Sequence, residues 1–306
     1  MTQSVVLGEA LVDLITASDG SLTVHPGGGP YNVARTAARL GSAVRWVGRL
    51  SNDRFGGLLL DGLAFDGVDL GGVLRTDDPT SLAIADIGPT GSATYSFYME
   101  GTSVPGLRPS DVTTLLPDDI GALYVGTLGL VLQPLADTCL DVLRSVAGLV
   151  PVLLDPNIRA RLIGDRDEYM RRLDSVLEHA NVVKVSDEDV SWLRPDTDVL
   201  VAARDMLARG PEMVVVTLGS RGAVAVTSSF EVEVPGFAVT VVDTVGAGDA
   251  LAGSLLRRLN EHGSSWMDDR DTVREFVHEA CAVAALTVTV AGAQPPTASQ
   301  VAAFLS

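Results

Sequence analysis

The sequence predicts a doubly wound α/β fold, in which a mostly parallel sheet is covered by helices on both faces. Three observations carry that prediction. Short β-branched runs recur along the 306-residue chain, amphipathic stretches separate most of them, and two segments depart from this rhythm by alternating apolar and polar residues. Strands buried on both faces read as continuous apolar runs, and their alternation with helices favours one parallel sheet.

The runs, in order, are Val5–Gly8, Val44–Val47, Leu123–Gly126, Val152–Asp155, Val182–Val185 and Val214–Thr217. Between the first two, Val33, Ala37 and Leu40 share one helical face, with Arg35 and Arg39 four apart elsewhere. The two departures are Leu11–Val24 and Ser81–Tyr98, which alternate around turn signals at Ser18-Asp19-Gly20 and Gly88-Pro89-Thr90-Gly91. They predict antiparallel strands standing apart from the main sheet.

Composition narrows the function. Hydrophobic residues at 46% and charged residues at 20% describe a globular protein with ample core, and no apolar run approaches a membrane span. The first residues read as a strand without a basic leader. Two cysteines, Cys139 and Cys281, give no disulfide framework, and four scattered histidines give no zinc spacing. The expected compartment is the cytoplasm. A net charge of −17 argues against nucleic acid and anionic membrane as partners. Lys184 is the sole lysine, so no lysine-bearing phosphate loop exists.

The most informative stretch is Asp243–Leu256, Asp-Thr-Val-Gly-Ala-Gly-Asp-Ala-Leu-Ala-Gly-Ser-Leu-Leu. Gly246, Ala247 and Gly248 let the backbone turn tightly and aim several N–H groups at one point, a setting for an anion. Asp249 stands on the rim of that setting. A base beside a site for developing negative charge suits phosphoryl transfer to an alcohol. Gly-Ala-Gly-Asp also fits an ordinary helix start capped by Asp. A second cluster, Gly27–Gly41, reads Gly-Gly-Gly-Pro-Tyr-Asn-Val-Ala-Arg-Thr-Ala-Ala-Arg-Leu-Gly. There Gly28 and Gly29 permit close approach of a ligand, and Asn32 can both donate to and accept from hydroxyls.

With both segments present, in this order and separation, the chain resembles the ribokinase/fructokinase-like (PfkB) family of carbohydrate kinases over essentially its whole length. The resemblance implies a single ribokinase-like domain over residues 1–306. It also implies a small β lid over the sugar, here about 11–25 and 73–103. It implies Asp249 as catalytic base, with the turn of Gly246, Ala247 and Gly248 holding the transferring phosphoryl group. Asp13, Gly28, Gly29, Asn32 and Tyr98 fall on the sugar side. Asp155-Pro156-Asn157-Ile158-Arg159 is similar to the family's Asp-Pro-Asn-x-Arg, making Asn157 and Arg159 substrate candidates; an arginine on a loop is equally an ordinary surface charge.

For the nucleotide, the resemblance points to Ser186, to Thr217, Gly219 and Gly222 of Thr217–Ala223, and to Ala284. The Thr217–Ala223 loop reads just as well as a tight strand–strand turn, and the small-residue face around Ala284 as plain helix packing. Where many members carry Asn-x-x-Glu, this chain has Ser186 and Asp189, which leaves Asp189 a water-mediated contact with Mg²⁺. Asp243 and Gly292 match the segment that lines a monovalent-cation site in several relatives, which points to K⁺. ATP is the implied phosphoryl donor, with Mg²⁺ bridging its phosphates, and a homodimer through the lid is a further expectation. Gly8–Asp13 and the Tyr95–Tyr98 stretch look most like fructokinases, which points to fructose and its primary hydroxyl. Sugar-acid kinases acting on 2-keto-3-deoxygluconate often place Arg after the lid tyrosine; Met99 stands there instead, which favours a neutral sugar. A non-catalytic sugar- or nucleotide-binding regulator is the third reading, and retention of Asp249 with its glycines counts against it.

Overall fold

The computed structural model describes residues 2–16, 20–87 and 93–306. The chain opens on β1 (Gln3–Leu7) and passes through β2 (Leu11–Thr16) and β3 (Leu22–Gly27) into α1 (Gly29–Arg39). Pro30 in the first turn of α1 has no N–H to orphan and is set for helix entry. Then follow β4 (Val44–Ser51), α2 (Arg54–Phe65), β5 (Val73–Thr76), β6 (Leu82–Ile87), β7 (Ala93–Tyr98) and the short α3 (Pro109–Val112). Asp53 caps α2 by accepting from the Gly56 N–H.

The second half runs β8 (Ile120–Gly126), α4 (Leu135–Val146), β9 (Val152–Asp155), α5 (Arg166–Leu177), β10 (Val182–Ser186), α6 (Asp187–Leu193) and α7 (Val199–Leu207). It ends with β11 (Met213–Thr217), β12 (Gly222–Thr227), β13 (Glu231–Pro235), α8 (Ala247–His262), α9 (Arg270–Thr287) and α10 (Ala298–Leu305). All six apolar runs read from the sequence are strands.

Among the described residues, nine strands form the main sheet in the order β13-β12-β11-β10-β9-β8-β1-β4-β5. From β5 to β11 neighbouring strands are parallel; β12 and β13 continue the sheet antiparallel. Side chains alternate across it. Val5 and Leu7 of β1 join a core built with α4, α5 and α7, while Val6 joins the opposite core with α1, α2, α8 and α9. Burying each such Val or Leu stabilises the fold by roughly 1.5–3 kcal/mol relative to exposure.

The small sheet has the order β3-β2-β6-β7. Two expectations about it need correction. Its hairpins β2–β3 and β6–β7 are antiparallel, but β2 and β6 join in parallel, because the chain visits the main sheet between them. Val73–Thr76 pairs with β4 at the edge of the main sheet, so the strand part of the 73–103 segment in the small sheet starts at Leu82. The turn signals at Ser18-Asp19 and 88–91 lie outside the described residues.

A third correction concerns Met99. The strand ends at Tyr98, which is exposed, and Met99 turns inward to 6% exposure in the core with Leu11, Ala83 and Val104. Met99 is therefore packing, and its identity says little about the acceptor.

The chain leaves β1 for β4 and β5 on one side, then returns to β8 on the other. That reversal opens a crevice beyond the carboxyl ends of β1 and β8, the usual ligand position of an open α/β sheet. Here α1, following the small sheet, meets α8.

Candidate active site

Gly246 starts α8 in the left-handed conformation, φ 80°, ψ 0°, which a residue without Cβ adopts at no steric cost. Its carbonyl accepts from the Ala250 N–H at 2.8 Å. The amides of the first turn have no carbonyl of their own helix to bond, so they present positive ends at one place. Asp249 lies within this first turn but makes no capping bond. The simple cap reading is thus not what the side chain does.

Asp249 points instead across to α1. Its Oδ2 accepts from Asn32 Nδ2 at 2.8 Å, and Oδ1 stands 3.5 Å from Asn157 Nδ2. Burial raises its pKa; the Asn32 hydrogen bond, Lys184 and Arg159 pull it back down. Asn157 (φ 37°) and Thr127 (φ 48°) both hold left-handed backbone, which is rare for a β-branched residue. Their side chains meet at 3.4 Å, Asn157 Nδ2 donating to Thr127 Oγ1. A Cβ placed on Gly29 would lie 2.6 Å from Thr127 Oγ1, 3.3 Å from Asn157 Nδ2 and 3.5 Å from Asp249 Oδ1. Four segments thus converge on one point, and Gly29 leaves the room.

Asp13 lies on β2, its Oδ2 only 2.1 Å from where a Cβ on Gly27 would stand. Burial lifts its pKa to about 6, against the pull of Arg159. Gly28 takes φ 109° at the entry to α1, where a Cβ would fall 2.9 Å from the Glu9 carbonyl oxygen. Arg159 is exposed and donates to the carbonyls of Asn157 and Ile158. Tyr98 stands exposed at the end of β7.

Ser186 and Asp189 form a capping box at the start of α6, with Asp189 Oδ2 accepting from the Ser186 N–H at 2.9 Å and from its hydroxyl at 2.7 Å. Asp189 Oδ1 accepts from the Ile158 N–H at 2.7 Å. Both oxygens are committed to the protein, so these residues fit a structural role better than the expected nucleotide and Mg²⁺ contacts. They pin the loop that holds Asn157. Among the described residues no group of three or more acidic, His or Cys side chains gathers around a metal-sized site.

Residues 219–221 form a tight turn joining the antiparallel β11 and β12. A Cβ on Gly222 would fall 2.1 Å from the Val234 carbonyl, so packing against β13 explains that glycine; Gly219 faces open space at φ 59°. Thr217 Oγ1 reaches the Val185 carbonyl at 3.4 Å. Ala284 is half-buried and packs on the second core.

Asp243 ties two segments together: Oδ1 accepts from the Val245 N–H at 3.0 Å and Oδ2 from the Gly292 N–H at 2.8 Å. Arg35 and Arg39 of α1 share the Asp66 carboxylate and donate to the carbonyls of Ala293 and Pro295 at 3.2 and 2.6 Å. Ala293 in turn abuts Gly246.

Sequence reasoning missed three residues here. Thr127 follows β8 directly, and a polar residue at a strand end beside a sheet reversal is the signal that could have found it. Glu9 is 1% exposed next to Gly28, and burial raises its pKa to about 8. Lys184, on β10, donates to Asp155 Oδ2 at 3.0 Å.

A sequence profile described as pfkB family carbohydrate kinase matches residues 1–300. The chain belongs to the pfkB family. Among the relatives of this pfkB kinase, the fructokinase of Rhizobium leguminosarum bv. trifolii is 35% identical over 258 residues, 82% of this chain and 78% of that one. The solved fructokinase of Xylella fastidiosa with bound ATP matches at TM-score 0.90 and 28% identity, covering 99% of this chain and 98% of the other. The aminoimidazole riboside kinase of Salmonella enterica, complexed with its riboside and an ATP analogue, matches at 0.89 and 29%, covering all of both chains. The fold is thus the ribokinase-like fold of pfkB kinases.

Proposed function

We propose that this pfkB kinase transfers the γ-phosphoryl group of ATP to a primary hydroxyl of fructose. The observation that carries the reading is the convergence of Asp249, Asn32 and Asn157 beside the amide-lined start of α8. A carboxylate there can take the proton from the attacking hydroxyl while the adjacent amides hold the transferring group.

Asn32 orients the base through Nδ2, and its Oδ1, which makes no hydrogen bond to the described residues, is left to accept from the sugar. Asp13 accepts from further hydroxyls, and Thr127 and Asn157 face the same point. Closure of the small sheet, carrying Asp13, would exclude water and so limit loss of ATP to hydrolysis. Mg²⁺ arriving with ATP would neutralise its phosphates, and the described residues gather no side-chain cage for it. K⁺ at the Asp243–Gly292 junction would steady the turn.

The likeness to two fructokinases supports fructose. A coupled ADP-release assay against fructose, 2-keto-3-deoxygluconate, ribosides and other sugars tests the reading. Preference for a sugar acid or a riboside would replace fructose and leave the kinase. No turnover of any sugar, with ATP still bound, would favour the regulator.

The small sheet exposes Leu22, Val24 and Tyr98 at 57, 40 and 57%. That apolar surface supports a homodimer through this sheet, and light scattering of wild type against Val24→Asp tests it. A monomeric wild type would end the dimer reading.

A further inference from the structure

Lys184 sits where a surface residue does not belong. It is 3% exposed in the middle of a sheet whose neighbouring strands are apolar, and it is the chain's sole lysine. Its ammonium reaches under the first turn of α8: a Cβ on Gly248 would stand 2.8 Å from Nζ. Its one hydrogen-bond partner among the described residues is Asp155, which is fully buried and whose Oδ1 finds no partner. Replacing a buried ion pair with apolar residues is often neutral or stabilising, so stability alone does not account for this one.

The surroundings supply another account. Asp249 is faced by Glu9 from the β1–β2 connection, Asp13 from β2, Tyr124 from β8 and Asp155 from β9, while Asp189 of α6 acts on Asp155 and Lys184. Among the described residues, the positive groups that act on Asp249 are Arg159, which is exposed, and Lys184. Glu9 and Tyr124 hold their protons, so the carboxylates of Asp13, Asp155 and Asp249 set the field that a polyphosphate entering here meets unless something beneath the turn opposes it.

We propose that Lys184 is a positioning residue whose fixed positive charge, set behind Gly248, stabilises the phosphoryl group in transit, with Asp155 holding the ammonium in place. This rests on the sugar-kinase reading of the site. The lysine moves no proton: the hydroxyl proton goes to Asp249, the new bond joins the sugar oxygen to the γ-phosphorus, and ADP leaves. The flanking ammonium acts through the Gly248 segment, as a charge where negative charge builds.

The test uses Asp155→Asn and the double variant Asp155→Asn/Lys184→Met, which removes both buried charges together and so spares the fold the isolated carboxylate that Lys184→Met alone would leave. The double variant is expected to melt close to wild type, with kcat down at least about tenfold and the KM for ATP nearly unchanged, because the lost interaction belongs to the transition state. Asp155→Asn keeps the lysine and removes a negative neighbour of Asp249, so the acid limb of its kcat/KM profile should move to lower pH. A double variant with wild-type kcat would show that Lys184 only partners Asp155 and would overturn the proposal, as would an acid limb that stays or moves up in Asp155→Asn. A wild type inert on every sugar would instead fail the kinase reading itself.

Discussion

Asn32 Nδ2 donates to Asp249 Oδ2 at 2.8 Å across 217 positions of sequence. The bond joins the two glycine-rich segments at the one place where their chemistry must meet. It keeps the base ionised against the burial that raises its pKa, and it fixes the direction of the lone pair left for a proton. Activity should therefore fall as pH drops through a pKa above the ordinary aspartate range.

Asp249→Asn should keep the fold, since an amide has the same shape and Asn32 can still pair with its oxygen. Its kcat should fall by roughly 10²–10⁴, the usual worth of a positioned base. Steady-state kinetics with ATP binding measured in parallel checks this; near-normal turnover would remove Asp249 from the role of base.

Asp13→Ala should raise the sugar KM steeply and leave the KM for ATP nearly unchanged. Each charge-assisted bond lost is worth about 1.5–3 kcal/mol. Equal damage to both substrates would mean that Asp13 mainly supports the β2–β3 hairpin.

Asp189→Ala separates a structural from a metal role. If its carboxylate serves only to pin Ser186 and Ile158, the variant should lower the melting temperature and kcat together and leave the Mg²⁺ concentration dependence as in wild type. A shift in that dependence with stability intact would restore Asp189 as a contact of the metal's water shell.

Glu9 carries a pH dependence of stability. Its pKa is about 8 in the fold against 4.5 for the free side chain. The folded state holds a proton that the unfolded state gives up, so stability is highest below about pH 4.5 and is lost as pH rises toward 8. Glu9→Gln mimics the protonated acid. At pH 8 it should be more stable than wild type by on the order of 4 kcal/mol, with the gap closing toward pH 5. Denaturant titrations at the two pH values measure this, and an equal gap at both would refute it.

Replacing K⁺ with tetramethylammonium should lower kcat more than it raises the KM for ATP. A cation beside Asp243 and Gly292 would hold the turn that Gly246 begins. Unchanged activity across K⁺, Na⁺ and tetramethylammonium would show that the hydrogen bonds of Asp243 suffice to hold it.

The parallel core was legible because each strand buried on both faces announces itself as an apolar run, and the two glycine segments because their backbone needs are written in residue type. Less was legible at the margins. Val73–Thr76 is a four-residue edge strand without alternation, and Gly222–Thr227 was hidden by its small residues. Ser186 and Asp189 stand where the family's Asn-x-x-Glu falls, and a capping box and a metal contact use the same residue types, so the sequence alone does not separate the two roles. Met99 turns into the core because strand alternation stops one residue earlier. Thr127 and Lys184 belong to no local pattern, and they acquire meaning only when β8 and β10 are laid beside the start of α8.

The bond between Asn32 and Asp249 also has a consequence in time. A ribosome makes the Asn32 half of the site early, and the carboxylate arrives 217 residues later. Until α8 emerges and docks on α1, the nascent chain can offer a sugar pocket without a base. No partly made chain is therefore a kinase, and the enzyme switches on in the same step that closes this long-range contact, one of the slowest kinds of contact for a folding chain to make.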